Sequence, residues 1–178
     1  GSLSSRAVSA LNKGAGKVGI YHNTGEGGFA PYHQMGGNVI FQLGTGKFGC
    51  RDEKGNFSDE AFGKITSHEN VGMVELKLMQ GAKPGKGGIL PKEKITSEIA
   101  EIRKVPMGKD VISPPRHDEF KDLAGLFDFL DRLRKIADKP IGIKIVAGHI
   151  EEIEAIAEAM ATEPGRGPDF ISVDGGEG

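Results

Sequence analysis

From residue 73 onward, stretches patterned as strands alternate with stretches patterned as helices, and this alternation constrains the fold more than any other feature. Residues 73–79, Met-Val-Glu-Leu-Lys-Leu-Met, alternate apolar and polar positions, like a strand with one buried face. In residues 97–104, Ile99 and Ile102 are spaced for one helical face, Thr96 reads as the N-cap, and Pro106 and Gly108 end the segment. Val111-Ile112-Ser113 reads as a short strand stopped by Pro114-Pro115. Residues 122–137 carry the clearest helical stripe, Leu123, Leu126, Phe127, Leu130, Leu133 and Ile136, closed by Asp138-Lys139-Pro140. Residues 141–147 follow as a strand apolar on both faces apart from Lys144. Residues 150–161 read as a helix with Ile150, Ile153, Ile156 and Ala157 inward, and residues 170–173 as the last strand. Strands separated by helices in this order predict parallel pairing through right-handed crossovers. The expected architecture is α/β, a partial (β/α)₈ TIM barrel with parallel strands and an irregular N-terminal segment; a doubly wound open sheet is the second choice. In either, ligands gather at the C-terminal ends of the strands.

The first half has less pattern. Residues 18–21 and 39–43 read as short strands joined by a loop containing glycine and histidine, and residues 51–70 as a polar surface excursion with a short helix at 59–65. Gly1-Ser2 reads as a cloning remnant, with the domain spanning residues 3–178. The 28 glycines in 178 residues cluster at 25–28, 36–49, 81–88 and 175–178, beside strands and helices, which suits either backbone brought close to a ligand or plain tight turns. A formal charge of −2 gives no basic surface for a nucleic acid. No apolar run approaches the roughly 20 residues that cross a bilayer, and no secretory signal opens the chain. Cys50 is the only cysteine, so one thiol provides no internal disulfide, zinc cluster or iron–sulfur cluster, and no metal site is expected. The expected location is the cytoplasm.

Three strand ends carry chemistry. The first runs into Lys77, Gln80, Gly81 and Lys83, where cations stand beside glycine-freed backbone N–H groups suited to an anion. The second ends in Ser113-Pro114-Pro115-Arg116-His117-Asp118. The third carries Lys144, which is costly inside a parallel strand unless it has a partner, snorkels to the strand end, or faces a ligand that develops negative charge. Earlier, Glu26 joins a carboxylate to the glycine loop of residues 22–28. His33, His68 and His149 read as structural or surface residues. No Gly-x-Ser-x-Gly elbow, Walker loop or His-Glu-x-x-His pair is present.

The stretch Gln80-Gly81-Ala82-Lys83-Pro84-Gly85-Lys86-Gly87-Gly88-Ile89-Leu90-Pro91 closely resembles the twelve-residue signature of the FMN-binding domain of the glutamate synthase family. Ile112-Ser113-Pro114-Pro115, Lys144 and Asp174-Gly175-Gly176 follow at matching spacing. Thr45-Gly46-Lys47-Phe48-Gly49 resembles the family's Ser-Gly-Arg-Phe-Gly segment. Tyr21-His22-Asn23-Thr24-Gly25-Glu26-Gly27-Gly28 looks like the corresponding loop of the smaller, stand-alone glutamate synthase-like proteins. The resemblance implies a flavin barrel with FMN across the strand ends, in which a 2-oxo acid and ammonia form an imine that takes hydride from reduced FMN. The product pair is 2-oxoglutarate to glutamate or a related one. By the same resemblance Glu26, Lys83 and Lys144 are catalytic, Glu26 handling ammonia or its proton and Lys144 stabilising charge on reduced FMN. Lys77, Gln80, Lys83, Lys144, Asp174, Gly175 and Gly176 would bind the cofactor. Thr45, Lys83, Arg103 and Ser113 would bind the substrate, Arg103 through its carboxylate; from its own surroundings in the sequence, Arg103 is a surface helix residue.

The sequence departs from the family pattern in three ways. Ile89 stands where the large enzymes have a polar substrate-side glutamine, and Arg116-His117-Asp118 where they have a double histidine. The amidotransferase region and the cluster cysteines are absent, so ammonia or an amine and the electrons are expected from partners, an amidotransferase and an electron donor. The closing Asp174-Gly175-Gly176-Glu177-Gly178 resembles the start of a longer run. That implies further strands and most of the phosphate site beyond residue 178, an inactive fragment with weak or no FMN binding, and an open sheet edge covered by the N-terminal segment or by a second copy. Two other readings stay open: a lyase or aldolase barrel with Lys144 as Schiff-base former, and a non-catalytic metabolite-binding relative.

Overall fold

The computed structural model describes residues 3–82 and 86–176. Ser4 starts the first helix by accepting a bond from the Ala7 N–H, and Gly19, at φ 72°, closes it with a bond to the Ala15 carbonyl. This helix, α1 (Ser5–Val18), corrects the expected strand at 18–21: those residues are the end of α1 and its left-handed exit. Gly14 and Gly16 hid the helix in the sequence. Gly16 is required by packing, since a Cβ there would stand 2.7 Å from the Gly36 carbonyl oxygen. Beside it the fully buried Asn12 fixes the following loop: its Oδ1 accepts from Met35 N (2.7 Å) and Gly37 N (3.1 Å), and its Nδ2 donates to Gly37 O (3.1 Å).

β1 (His22–Asn23), β2 (Val39–Leu43) and β3 (Val71–Lys77) follow, with α2 (Asp59–Thr66), capped by Ser58, between the last two. Next come β4 (Ile89–Leu90), α3 (Ser97–Arg103, capped by Thr96), β5 (Val111–Ile112) and α4 (Leu123–Ala137, capped by Asp122). The chain then forms β6 (Ile141–Val146), α5 (Ile150–Thr162) and β7 (Ile171–Asp174). Five strands form one parallel sheet in the order β1-β2-β3-β6-β7, curled as half of a barrel. The outer face of the sheet carries Phe41, Leu43, Val74, Leu76, Ile141 and Ile143, all buried against Phe62 of α2 and Phe127, Leu130 and Leu133 of α4. Each such side chain contributes about 1.5–3 kcal/mol on burial. Among the described residues no helix is long and apolar enough to cross a membrane.

Three expectations are corrected here. β5 is not in the parallel sheet: it pairs antiparallel with β4, and β3 pairs directly with β6. The two-residue strands β4 and β5 make a ribbon with its own small core of Phe48, Ile95, Val105 and Val111, so residues 86–122 form an excursion over the strand ends. The polar positions of β3 do not face solvent, for the sheet's inner face is itself enclosed and Glu75 is 2% exposed. In α5 the stripe packed on the core is Ile153, Ile156 and Met160. Ile150 stands exposed in the first turn, and Ala157, one position off the stripe, is exposed as well.

His33 links this scaffold to pH. It is buried against Phe29, and its Nδ1 accepts from the Ala30 N–H at 3.0 Å. Burial, reinforced by the neighbouring His22, lowers its pKa to about 4. The unfolded chain takes up this proton near the ordinary value of 6.5, so stability is level above that pH and falls as the pH drops towards 4. A loss of roughly 2 kcal/mol between pH 7.5 and pH 5 is expected from this group. Urea unfolding midpoints at the two pH values check it: most of the difference disappears in His33→Gln.

Candidate functional site

The strand ends and the excursion enclose a small solvent-open cleft of about 40 Å³, lined by Glu26, Thr45, Lys77, Gln80, Gly88 and Ser113 among others. Each side chain is placed by its element. Glu26 follows β1 on a turn in which Asn23 Oδ1 accepts from the Gly25 N–H (2.9 Å) and Gly25 takes φ 68°. Thr45 follows β2, Lys77 ends β3, and Ser113 follows β5. Two glycines keep the walls thin. A Cβ at Gly44 would stand 2.7 Å from Glu26 Oε2, and one at Gly46 would stand 2.7 Å from Ser113 Oγ.

Lys77 Nζ donates to Gln80 Oε1 (2.7 Å) and lies 3.2 Å from Glu26 Oε2. The side chain of Lys77 is largely covered and that of Glu26 half-exposed. Across the β3–β6 ladder, Lys144 stands directly opposite Lys77. Its partner is Asp174, at 2.9 Å, so the costly buried lysine of the sequence has a carboxylate at the strand end. The other Asp174 oxygen accepts from the Gly81 N–H (2.8 Å). Lys144, and then the Gly81 N–H, hold the Asp174 carboxyl below its ordinary value. The loops of Gly81 and Gly175 meet so closely that a Cβ on Gly81 would fall on the Gly175 carbonyl. Gly175 and Gly176 are exposed beside them.

The structure thus brings Glu26, Thr45, Lys77, Gln80 and Ser113 together around one cleft, with Lys144, Asp174 and Gly175 on the adjoining strand ends. Arg103 is not in the lining. It is half-buried at the end of α3, its guanidinium 4.9 Å from the centre of the Phe48 ring. Burial lowers its pKa, and the charges of Glu26 and Tyr32 oppose that shift. Lys83 lies outside the described residues. Ile89 is exposed on β4, opposite the exposed Ile112.

Sequence reasoning missed two groups. The first is the buried Glu75 beneath the cleft, whose Oε1 accepts from Asn23 Nδ2 (2.9 Å) and Gln42 Nε2 (2.6 Å), while Oε2 accepts from Ser172 Oγ. Four parallel strands are tied at this one carboxylate. The second is Lys47, buried in the loop after β2 and paired with Glu119 (2.9 Å) and Asp118 (3.2 Å). Burial alone would raise the Glu119 carboxyl; the neighbouring His117 imidazole and Lys47 ammonium together outweigh it and hold the pKa at about 2. The available signal was a charged residue inside a strand, which the alternation placed on the open face, and a lysine in a glycine-rich loop, noted only as part of the family segment.

Chemically, two lysines in register on neighbouring strands, each steadied by a carboxylate, put positive charge at the strand ends beside the exposed Gly175 and Gly176. Preorganised charge of this kind stabilises negative charge that develops on a bound molecule without reorganising during reaction.

Comparison with known proteins follows from this geometry. The family model described as "Conserved region in glutamate synthase" matches residues 1–178. The chain is 45% identical over 180 residues to the "Glutamate synthase large subunit-like protein YerD" of Bacillus subtilis, covering 100% of this chain and 34% of that protein. It is 37% identical over 179 residues to the "Archaeal glutamate synthase [NADPH]" of Archaeoglobus fulgidus, covering 98% of this chain and 31% of that protein. It is 35% identical over 179 residues to the "Archaeal-type glutamate synthase [NADPH]" of Thermotoga maritima, covering 98% of this chain and 32% of that protein. The chain spans about a third of the length of these curated relatives.

Proposed function

Because the chain belongs to the glutamate synthase family, we propose that its strand-end cleft holds the ring side of FMN and a 2-oxo acid for reductive amination of the glutamate synthase type. The observation that carries this reading is the pair Lys77 and Lys144, in register on adjacent parallel strands and each held by a carboxylate. The residues suit a flavin: two cations, Lys77 and Lys144, stand in register on adjacent strands, beside the exposed backbone of Gly175 and Gly176. When bound and reduced, the flavin would supply hydride to the imine of the oxo acid.

The chain's own groups would do the rest. Lys144, steadied by Asp174, supplies positive charge next to the electron-rich edge of the ring. Its engagement in an ion pair suits this role more than attack on a carbonyl. Lys77 and Gln80 orient ring and substrate, a task the family signature also gives to Lys83. Glu26, half-exposed at the cleft, gives or takes a proton at the substrate nitrogen. Thr45 and Ser113 offer hydroxyls to the oxo acid, and Arg103, behind the lining against Phe48, adds positive charge near Glu26. An ammonia source and an electron donor complete the reaction in a cytoplasmic setting; two of the relatives are named for NADPH, which makes a nicotinamide-linked donor the first to test.

Flavin fluorescence tests the reading. Titrating the chain into riboflavin and into FMN is expected to give weak, saturable quenching of similar strength for both, since the ring side is what these residues hold. Lys144→Ala and Lys77→Ala each weaken it by about tenfold, or ~1.4 kcal/mol. Linear, non-saturating quenching, or saturable quenching indifferent to both substitutions, contradicts the proposal.

A further inference from the structure

We propose that Lys47, Glu119 and His117 form a buried clasp that positions the end of β3 for its ligand; as a device of the flavin site, it rests on the reading above. The excursion of residues 86–122 supplies one wall of the cleft through Gly88 and Ser113, and the strand ends supply the other through Glu26, Thr45 and Lys77. The clasp is one of the places where the two walls are joined, beside the Phe48 cluster and the Gly49 N–H to Arg103 carbonyl bond. His117 is 5% exposed and lies 2.9 Å from the Lys77 carbonyl through Nε2. A carbonyl only accepts, so Nε2 carries the proton. The other nitrogen, Nδ1, stands 3.7 Å from Glu119 Oε2, beyond hydrogen-bond distance, and neither of these buried atoms has a hydrogen-bond partner. The contact closes into a bond when Nδ1 carries a proton as well. Glu119 is in turn 2.9 Å from Lys47 Nζ, whose side chain is 4% exposed. Phe120 stacks on the imidazole at 5.6 Å.

Three features mark this as more than a surface ion pair. A buried ammonium is expensive unless it is fully paired, and Lys47 is paired twice. Lys47 also takes φ 52°, a left-handed conformation that costs a side-chain-bearing residue on the order of 1 kcal/mol. A glycine would avoid that cost but would lose the ammonium. The chain of contacts ends on the peptide plane leading out of β3, one residue before Leu78, whose N–H donates to the Lys144 carbonyl (3.0 Å). Turning that plane turns Lys77 away from Gln80 and Glu26.

Amide hydrogen exchange on the whole chain, with and without riboflavin, tests the clasp. In His117→Phe, which keeps a ring on Phe120 but has no donor, and in Glu119→Gln, exchange at Leu78 is expected to speed up by about tenfold and riboflavin binding to weaken by about tenfold. His117→Gln, whose amide nitrogen can reach the Lys77 carbonyl, restores both, and Lys47→Arg keeps both. Unchanged exchange at Leu78 in His117→Phe and Glu119→Gln overturns the clasp, as does a His117→Gln variant no better than His117→Phe. If His117→Phe does not fold, Glu119→Gln and His117→Gln decide the matter alone. If wild-type chain binds no flavin, the flavin reading fails, while the exchange rates still judge the clasp.

Discussion

Replacing Glu75 with leucine is expected to cost on the order of 4–5 kcal/mol and to lower the melting temperature by about 10–20 °C. Glu75 is a carboxylate without a cation within ion-pair distance among the described residues, held instead by Asn23, Gln42 and Ser172 from three other strands. Leucine matches much of its volume but leaves three donors facing an apolar side chain inside the half-barrel, and each unmet donor costs about 1–3 kcal/mol. Glu75→Gln isolates the cause. Its amide oxygen can still accept from Asn23 and Gln42, and its nitrogen can donate to the Ser172 hydroxyl, which then acts as acceptor. That variant is expected to stay within about 1 kcal/mol of the parent. Thermal and urea unfolding of the two variants, measured together, check the prediction; equal losses would mean that volume or charge, not the unmet donors, sets the cost.

Gly81→Ala is expected to abolish saturable flavin quenching while moving the melting temperature by only a few degrees. The new Cβ falls on the Gly175 carbonyl, so the two loops must part. Parting them breaks the bond from Gly81 N–H to Asp174, and with it the arrangement that holds Lys144 at the end of β6. Because β7 pairs only with β6 in the sheet, the core over α4 is left intact and the damage stays at the cleft. Gly14→Ala is the control, for a Cβ there meets nothing within 4 Å and α1 does not line the cleft. Similar quenching by Gly81→Ala and the parent would remove these loops from the site.

The sequence was most readable where pattern and burial coincide. The stripe of α4 and the apolar runs of β2 and β6 reappear as the core, because a helix or strand covered by neighbours needs apolar residues at fixed spacing. The glycine signature pointed to the cleft for a similar reason: close backbone approach leaves few alternatives to glycine, as at Gly46 and Gly81. What was not readable depended on partners far along the chain. β5 joins β4 rather than β3 because of a ribbon closed across the excursion, which no local period encodes. Glu75 looked solvent-facing because alternation marks two faces but not whether the sheet curls over one of them. Lys47 meets Asp118 across 71 positions, and nothing in either neighbourhood announces the other. α1 was hidden by two glycines that weaken the helical signal, one of them serving the packing of α1 on Gly36 and Gly37.

The location of the flavin ring is the central claim, and mapping ligand-induced amide shifts on the isotopically labelled chain tests it most directly. Titration with riboflavin is predicted to shift Glu26, Thr45, Leu78, Gln80, Gly81, Gly88, Ser113 and Asp174, residues that line the cleft or adjoin it. The same shifts should shrink in Lys144→Ala. Shifts confined to the opposite end of the strands, around Gln34, Asn38 and Asn70, or no saturable shifts at millimolar riboflavin, would contradict the account.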